Sequence, residues 1–331
     1  MKVVVPPARR LVRWTRLAWT VVRALVGRLL EASAVLLALA SLVFFAMRLL
    51  PGDPAALVLG DQASEAELAV LRTKLHLDEP LLMQYARFLR GLATLDLGES
   101  LRRPGVRAMA RVGDALGPTA ELAGLAVAMG AAIGVGLAVL AAGPWLGARR
   151  TWIERGFVAV ASTPLLAFAP LVTYLLAARA RIVPLPGDPE SGLAGLAFAS
   201  ALLSIPLAAQ VGRITRAALG EVARAQFLAV AVAKGGSAAR VWWLHAVPAA
   251  LGPIVTVVAT QLGALLGGAV VLERLFERAG LGTLILEAYA SRDLPVLEGA
   301  VVAAGGLFVV TQGAAAAVHA MIDPRVRGRS R

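Results

Sequence analysis

The chain contains no cysteine, so disulfides and thiolate metal sites are excluded. Its three histidines, His76, His245 and His319, lie far apart, and nothing in their spacing suggests a metal site. No G-x-x-x-x-G-K-[ST] phosphate loop occurs. Gly235-Gly236-Ser237 follows Lys234, the wrong order for such a loop. Nucleotide chemistry therefore has no visible place here, and neither catalytic residues nor a cofactor nor a metal ion is expected. Aromatic residues are scarce, at 5%. Charges are few inside the apolar runs, where Glu121, Gln210 and Gln261 are the polar candidates for an ion-driven carrier.

What is present is apolar. Of 331 residues, 58% are hydrophobic, and the mean hydropathy is +0.74. Soluble domains rarely exceed about half apolar. Ala, Leu, Val and Gly dominate, the palette of closely packed membrane helices. The net charge of +12 raises the question of nucleic acid. The bases sit between long apolar runs, so lipid and not nucleic acid is the expected surrounding.

The runs predict an all-α integral membrane protein with six transmembrane helices. Residues 1–28 form a basic extension without acids, bearing Trp14 and Trp19, which suit a membrane interface. Residues 29–50 form a first span of about the ~20 residues needed to cross hydrocarbon. Leu50-Pro51-Gly52-Asp53-Pro54 ends it. Residues 51–117 read as an extracytoplasmic helical loop, with a capping box at Ser64-Glu65-Ala66-Glu67. Residues 118–322 hold five more spans: 118–142, 156–178 with Pro164 and Pro170, 193–211 with Pro206, 254–272, and 296–322. Gly130, Gly134 and Gly136 suggest close helix contact in the second. Residues 323–331 form a tail. More than half of the 33 Lys and Arg fall in the extension, in 144–155, in 213–250 and in the tail. The positive-inside rule then places both termini in the cytoplasm.

The longest charged interruption of the second half is 213–253. Arg213, Arg216, Arg224, Lys234 and Arg240 are opposed there by Glu221 alone. Glu221 to Ala233 contains no Gly or Pro and reads as a helix. Lys234 complements its C-terminal dipole, and Gly235 suits the left-handed position that stops a helix. So apolar a helix needs a surface to pack on.

This loop resembles that of ABC importer permeases, written E-A-A-x3-G-x9-I-x-L-P. Ala229-Val230-Ala231, Gly235 and Val247-Pro248 fall at those spacings. The dipeptide/oligopeptide/nickel branch writes D-Y-x-R-T-A-R-A-K-G and then H-A-L-R-N-A-L-L-P. Gln226-Phe227, Ala233-Lys234-Gly235, His245-Ala246 and Ala250-Leu251-Gly252-Pro253 match or nearly match. Gln226, Ala229, Val232 and Pro248 replace charged residues. L-P-G-D-P at 50–54, His76-Leu77-Asp78-Glu79-Pro80, Gln84-Tyr85, Asp96-Leu97-Gly98-Glu99-Ser100, Gly280-Leu281-Gly282, Arg292-Asp293-Leu294-Pro295 and Asp323-Pro324-Arg325 also look like this branch. His76 and Leu95 stand where the branch has glycine.

The resemblance implies the MetI-like permease fold, with a cytoplasmic coupling helix that docks on an ATPase. Its contact residues would be Glu221, Arg224, Gln226, Phe227, Leu228, Ala229, Ala231, Val232, Lys234 and Gly235. It implies a multi-pass inner-membrane subunit that imports di- or oligopeptides. Implied partners are a second permease, two cytoplasmic ATPase subunits and an extracytoplasmic solute-binding protein. Gln210, Thr260 and Gln261 are the candidate pore-lining residues, and simple packing would also account for each. Import of nickel or another small solute is the alternative; an ion-driven secondary transporter is the competing class.

Overall fold

The computed structural model describes residues 7–49, 53–60 and 63–322. They are helical, and two compact units separate at about residue 51. The first unit is one helix, α1 (Pro7–Leu49). At 1.5 Å per residue it is about 64 Å long, and the apolar stretch Val26–Leu49 suffices to span a membrane. The expected boundary between a basic extension and a first span is therefore not a break in the helix. Arg48 folds back along α1, its Nη1 donating to the Phe44 carbonyl at 3.1 Å and its guanidinium lying 3.4 Å from the Phe44 ring centroid.

The second unit begins with three short helices, α2 (Pro54–Leu59), α3 (Glu65–Lys74) and α4 (Leu81–Thr94). The motif residues hold them. Asp53 caps α2 by accepting from the Ala55 N–H at 3.0 Å and binds Arg72 of α3 at 2.6 Å. Ser64 and Glu67 form the expected capping box. Gln84 donates to the carbonyls of Leu77 and Glu79, fixing the turn before α4. His76 and Leu95 have φ of +56° and +55°. Left-handed backbone favours glycine, which is why glycine is the branch's usual residue at both positions.

The long helices follow: α5 (Ala108–Ala142), α8 (Gly192–Val222), α11 (Val247–Leu275) and α13 (Leu294–Ile322). α5 starts ten residues before Pro118, where the second span was expected to begin. Ala108, Val112 and Ala115 continue the buried stripe of Thr119, Leu122 and Ala126, and that packing carries the helix through the proline. Gly130 and Gly134 lie against α8; a Cβ on Gly134 would stand 2.5 Å from the Ala208 carbonyl oxygen. Gly136 meets nothing within 4 Å. α8 is the central helix, 56% of its apolar window being buried against 33% for α5.

The third expected span, 156–178, is not one straight helix. α6 (Arg150–Ala161) and α7 (Leu165–Thr173, continued by a π turn to Arg179) meet at 102°. Pro164 has no N–H and holds Thr163 out of helical geometry. Among the described residues, five helices are long and apolar enough to cross a membrane, and the α6–α7 pair makes a sixth if it is one span. The fifth span also starts early. α10 (Ala238–Val241) and a π turn at Trp242–Ala246 lead directly into α11, so the loop is helical from Ala238 onward.

Among the described residues, the two larger apolar clusters fill most of the unit. One, around Leu122, Leu203, Val211, Leu272 and Phe276, joins α5, α8 and α11. The other, at the basic end of the bundle, gathers Val139, Leu219, Leu228, Val241, Trp242, Ala246 and Ile254.

Candidate coupling site and transport path

The helix expected over Glu221–Ala233 is divided. α8 runs on to Val222, residues 223–225 turn, and α9 spans Gln226–Ala233. Ala225 takes extended backbone at φ −72°, ψ 137°. The cause is tertiary. Leu219 and Leu228 are both buried in the basic-end cluster, yet nine residues of continuous helix would separate them by about 13 Å. Turning the chain lets both reach it. Glu221 and Arg224 therefore belong to the end of α8 and the turn, and both are exposed.

α9 rests on the body through Leu228, 8% exposed, and half-buried Ala231. Leu228 is thus buried against the body and not free on the outer face. Val230, which is not among the contact residues that the resemblance implies, stands on the outer face. Phe227, Val230 and Val232 are 48%, 52% and 56% exposed, and Gln226, Ala229, Ala233 and Lys234 are also exposed. The end is sharp. The Gly235 N–H donates to the Val232 carbonyl at 2.9 Å and the Gly236 N–H to that of Ala231 at 3.2 Å, the paired bonds of a Schellman stop. Gly235 has φ +87° with open space around it. Gly236 has no such space: a Cβ there would stand 2.8 Å from the Ala231 carbonyl oxygen and from Val241 Cγ2.

The platform beneath α9 is tied by contacts that sequence gave no means of pairing. Arg216 of α8 binds Glu154 of α6 at 2.9 Å. Trp145 stacks on Trp243, centroids 6.2 Å apart, and meets Trp242 edge-on.

The three polar pore candidates differ. Gln210 is exposed, and its side chain makes no hydrogen bond among the described residues. Thr260 is exposed, but its hydroxyl donates to the Val257 carbonyl at 2.9 Å. Gln261 is buried.

At the opposite end two buried acids organise the remaining motifs. Glu273 of α11 accepts from the Gly282 N–H at 2.7 Å, the Thr283 N–H at 3.2 Å and the Thr119 hydroxyl at 2.5 Å. It caps α12 (Leu281–Ala290), where negative charge meets the positive helix end. This explains Gly280-Leu281-Gly282: a Cβ on Gly280 would fall 2.2 Å from the Glu273 carboxyl carbon, and one on Gly282 2.5 Å from Val270 Cα. Asp293, fully buried, accepts from the Ser100 hydroxyl and from the Leu101 N–H at 3.0 Å and pairs with Arg111 at 3.3 Å. Two motifs nearly two hundred residues apart thus form one cluster. Among the described residues no three His, Asp or Glu gather to hold a metal ion.

A polytopic helical bundle with a short apolar helix projecting from its basic end is the architecture of a transport permease. The chain matches the family model described as binding-protein-dependent transport system inner membrane component over residues 130–328, and that family's N-terminal model over residues 21–102. It belongs to this family: it is a permease component of ABC importers. Similar proteins include a probable peptide ABC transporter permease of Sinorhizobium fredii, 31% identical over 91% of this chain and 97% of the relative. A putative peptide transport system permease of Brucella abortus is 34% identical over 91% and 97%. A dipeptide transport system permease of Alkalihalophilus pseudofirmus is 31% identical over 91% and 98%.

Proposed function

We propose that this chain is the translocation subunit of an ATP-driven importer of di- or oligopeptides, and that α9 is its coupling helix. One observation carries the coupling assignment: a helix held by Leu228 and Ala231 presents Phe227, Val230 and Val232 outward and stops at Gly235. Exposed apolar side chains grouped in this way mark a protein contact. The peptide cargo is taken from the names of the three relatives, which favour it over nickel. In this reading the basic end, the 1–28 extension and the 323–331 tail are cytoplasmic, and residues 53–107 lie outside. A second permease, two ATPase subunits and a solute-binding protein complete the transporter, and ATP is hydrolysed in the ATPase subunits.

The docking is chiefly apolar. Phe227 leaves about half of a ~200 Å² side chain uncovered, worth about 2 kcal/mol when buried. Phe227→Ala should weaken ATPase binding roughly tenfold or more, whereas Arg224→Ala should weaken it little, and salt should matter little. A pull-down of the ATPase subunits by each variant across a salt series tests this. Dissociation by salt with Phe227→Ala binding as wild type would show that charge carries the contact. No ATPase partner for the wild type under any condition would remove the assignment of α9 as the coupling helix.

A further inference from the structure

The α6–α7 break lies level with the middle of the long helices. Leu165, the first residue of α7, and Leu203 of α8 both approach the position a Cβ would take on Gly268 of α11, at 3.5 and 3.0 Å. The three residues therefore share a level. On α8, Leu203 is eleven residues from Gly192 and ten from Arg213, about 16 and 15 Å. Hydrocarbon is about 30 Å thick, so the break sits near its middle.

At that depth the break is uncovered. Ala161, Ser162, Thr163 and Pro164 are all exposed on the chain. The Ser162 and Thr163 hydroxyls donate back to the Val158 and Ala159 carbonyls, each at 2.9 Å. The Ala167 and Phe168 N–H groups are taken by the Pro164 carbonyl. Those of Leu165 and Leu166 find no acceptor among the described residues. Lipid cannot satisfy them, and non-helical backbone at this depth must be covered by protein or face water. Water supplies such an acceptor without a dedicated side chain.

A second observation lies on the next helix. Gln210 is seven residues beyond Leu203, so the helical repeat returns it to the same stripe of α8, about 10 Å nearer the basic end. Leu207, Ala208, Ala209, Val211 and Gly212 around it are buried. Gln210 alone of this run is exposed, with no partner among the described residues. An amide left in hydrocarbon without a hydrogen bond costs several kcal/mol.

We infer that the Ser162-Thr163-Pro164 break and Gln210 form an uncharged polar wall of the water-filled transport path, at and just below mid-membrane. The inference rests on the permease reading but not on the coupling role of α9. Neither position carries formal charge, so the wall wets a neutral or zwitterionic solute without trapping it.

The absence of cysteine supplies the test. Ser162→Cys, Thr163→Cys and Gln210→Cys are made singly, with Leu171→Cys and Ile133→Cys as exposed apolar controls. Each chain is expressed with its partner subunits and kept in native membranes. The probe is a charged, water-soluble methanethiosulfonate, applied at rest and during ATP turnover. A thiol in an apolar setting stays protonated and unreactive. At least two of the three test positions, Gln210 among them, should react at least tenfold faster than either control, in one state or the other. Control rates at Ser162 and Thr163, or at Gln210, in both states would overturn the inference. Because Ser162→Cys changes one atom, loss of fold does not confuse the result. Slow labelling in a complex that binds its ATPase refutes this inference alone. Fast labelling in a chain that binds no ATPase refutes the coupling reading and leaves the wall standing.

Discussion

Removing the Glu273 side chain should detach α12 from the bundle. Glu273 is fully buried and accepts from Gly282 N–H, Thr283 N–H and the Thr119 hydroxyl. Glu273→Ala strands two buried backbone donors at the first turn of α12. Each costs about 1–3 kcal/mol. The Thr119 hydroxyl escapes most of the penalty, because it also bonds the Ala115 carbonyl at 3.3 Å. The sum is about 4 kcal/mol. Glu273→Gln has nearly the same shape and keeps an acceptor for both N–H groups. It loses only the charge-assisted part of those bonds, about 1 kcal/mol. Gly282→Ala attacks the same site from the other side, since its Cβ would lie 2.5 Å from Val270 Cα; such overpacking costs about 1–3 kcal/mol. At roughly 2–4 °C per kcal/mol, Glu273→Ala should lower the melting midpoint of the detergent-solubilised protein by about 10 °C, and Glu273→Gln by about 3 °C. Midpoints are read by the loss of monodisperse protein on size exclusion after heating. A Glu273→Ala protein that melts like wild type, or a Glu273→Gln protein that melts like Glu273→Ala, would refute the capping argument.

Gly235→Leu forces a branched side chain onto φ +87°, a strain of about 1–2 kcal/mol; it should insert normally yet lose ATPase association in a pull-down, and full association would sink the coupling-turn assignment. Leu95→Gly should raise the melting midpoint, because it relieves φ +55° at a side chain 69% exposed; strain relief of about 1–2 kcal/mol exceeds the cost of ordering glycine, about 0.5–1 kcal/mol. For orientation, Ser237→Cys should react with an impermeant thiol reagent only from the cytoplasm and Ser64→Cys only from outside, and the reverse pattern would invert the proposed topology.

Sequence determined what local chemistry can write. Apolar runs fixed the class of protein, because only helices or closed barrels satisfy backbone in lipid. Glycine chemistry marked the stop at Gly235, whose φ is positive. Ser64 and Glu67 spelled their capping box, and His76 and Leu95 fell on left-handed backbone where the branch carries glycine.

Tertiary structure decided what depends on partners distant in the chain. Nothing in Ala223-Arg224-Ala225 breaks a helix; the turn exists because Leu219 and Leu228 must share one cluster. Leu228 and Val230 are equally apolar by sequence, and only packing made one an anchor and the other a surface. Pro118 and Pro164 look alike in the chain. Buried Ala108, Val112 and Ala115 carry α5 through the first, while exposed Ala161 to Thr163 have no such support and the chain bends by 102° at the second. The motifs at Ser100 and Asp293 were legible one by one, but their meeting through a buried carboxylate is a fact of packing. A side chain's burial is set by what arrives beside it from elsewhere, and local sequence carries no record of that arrival.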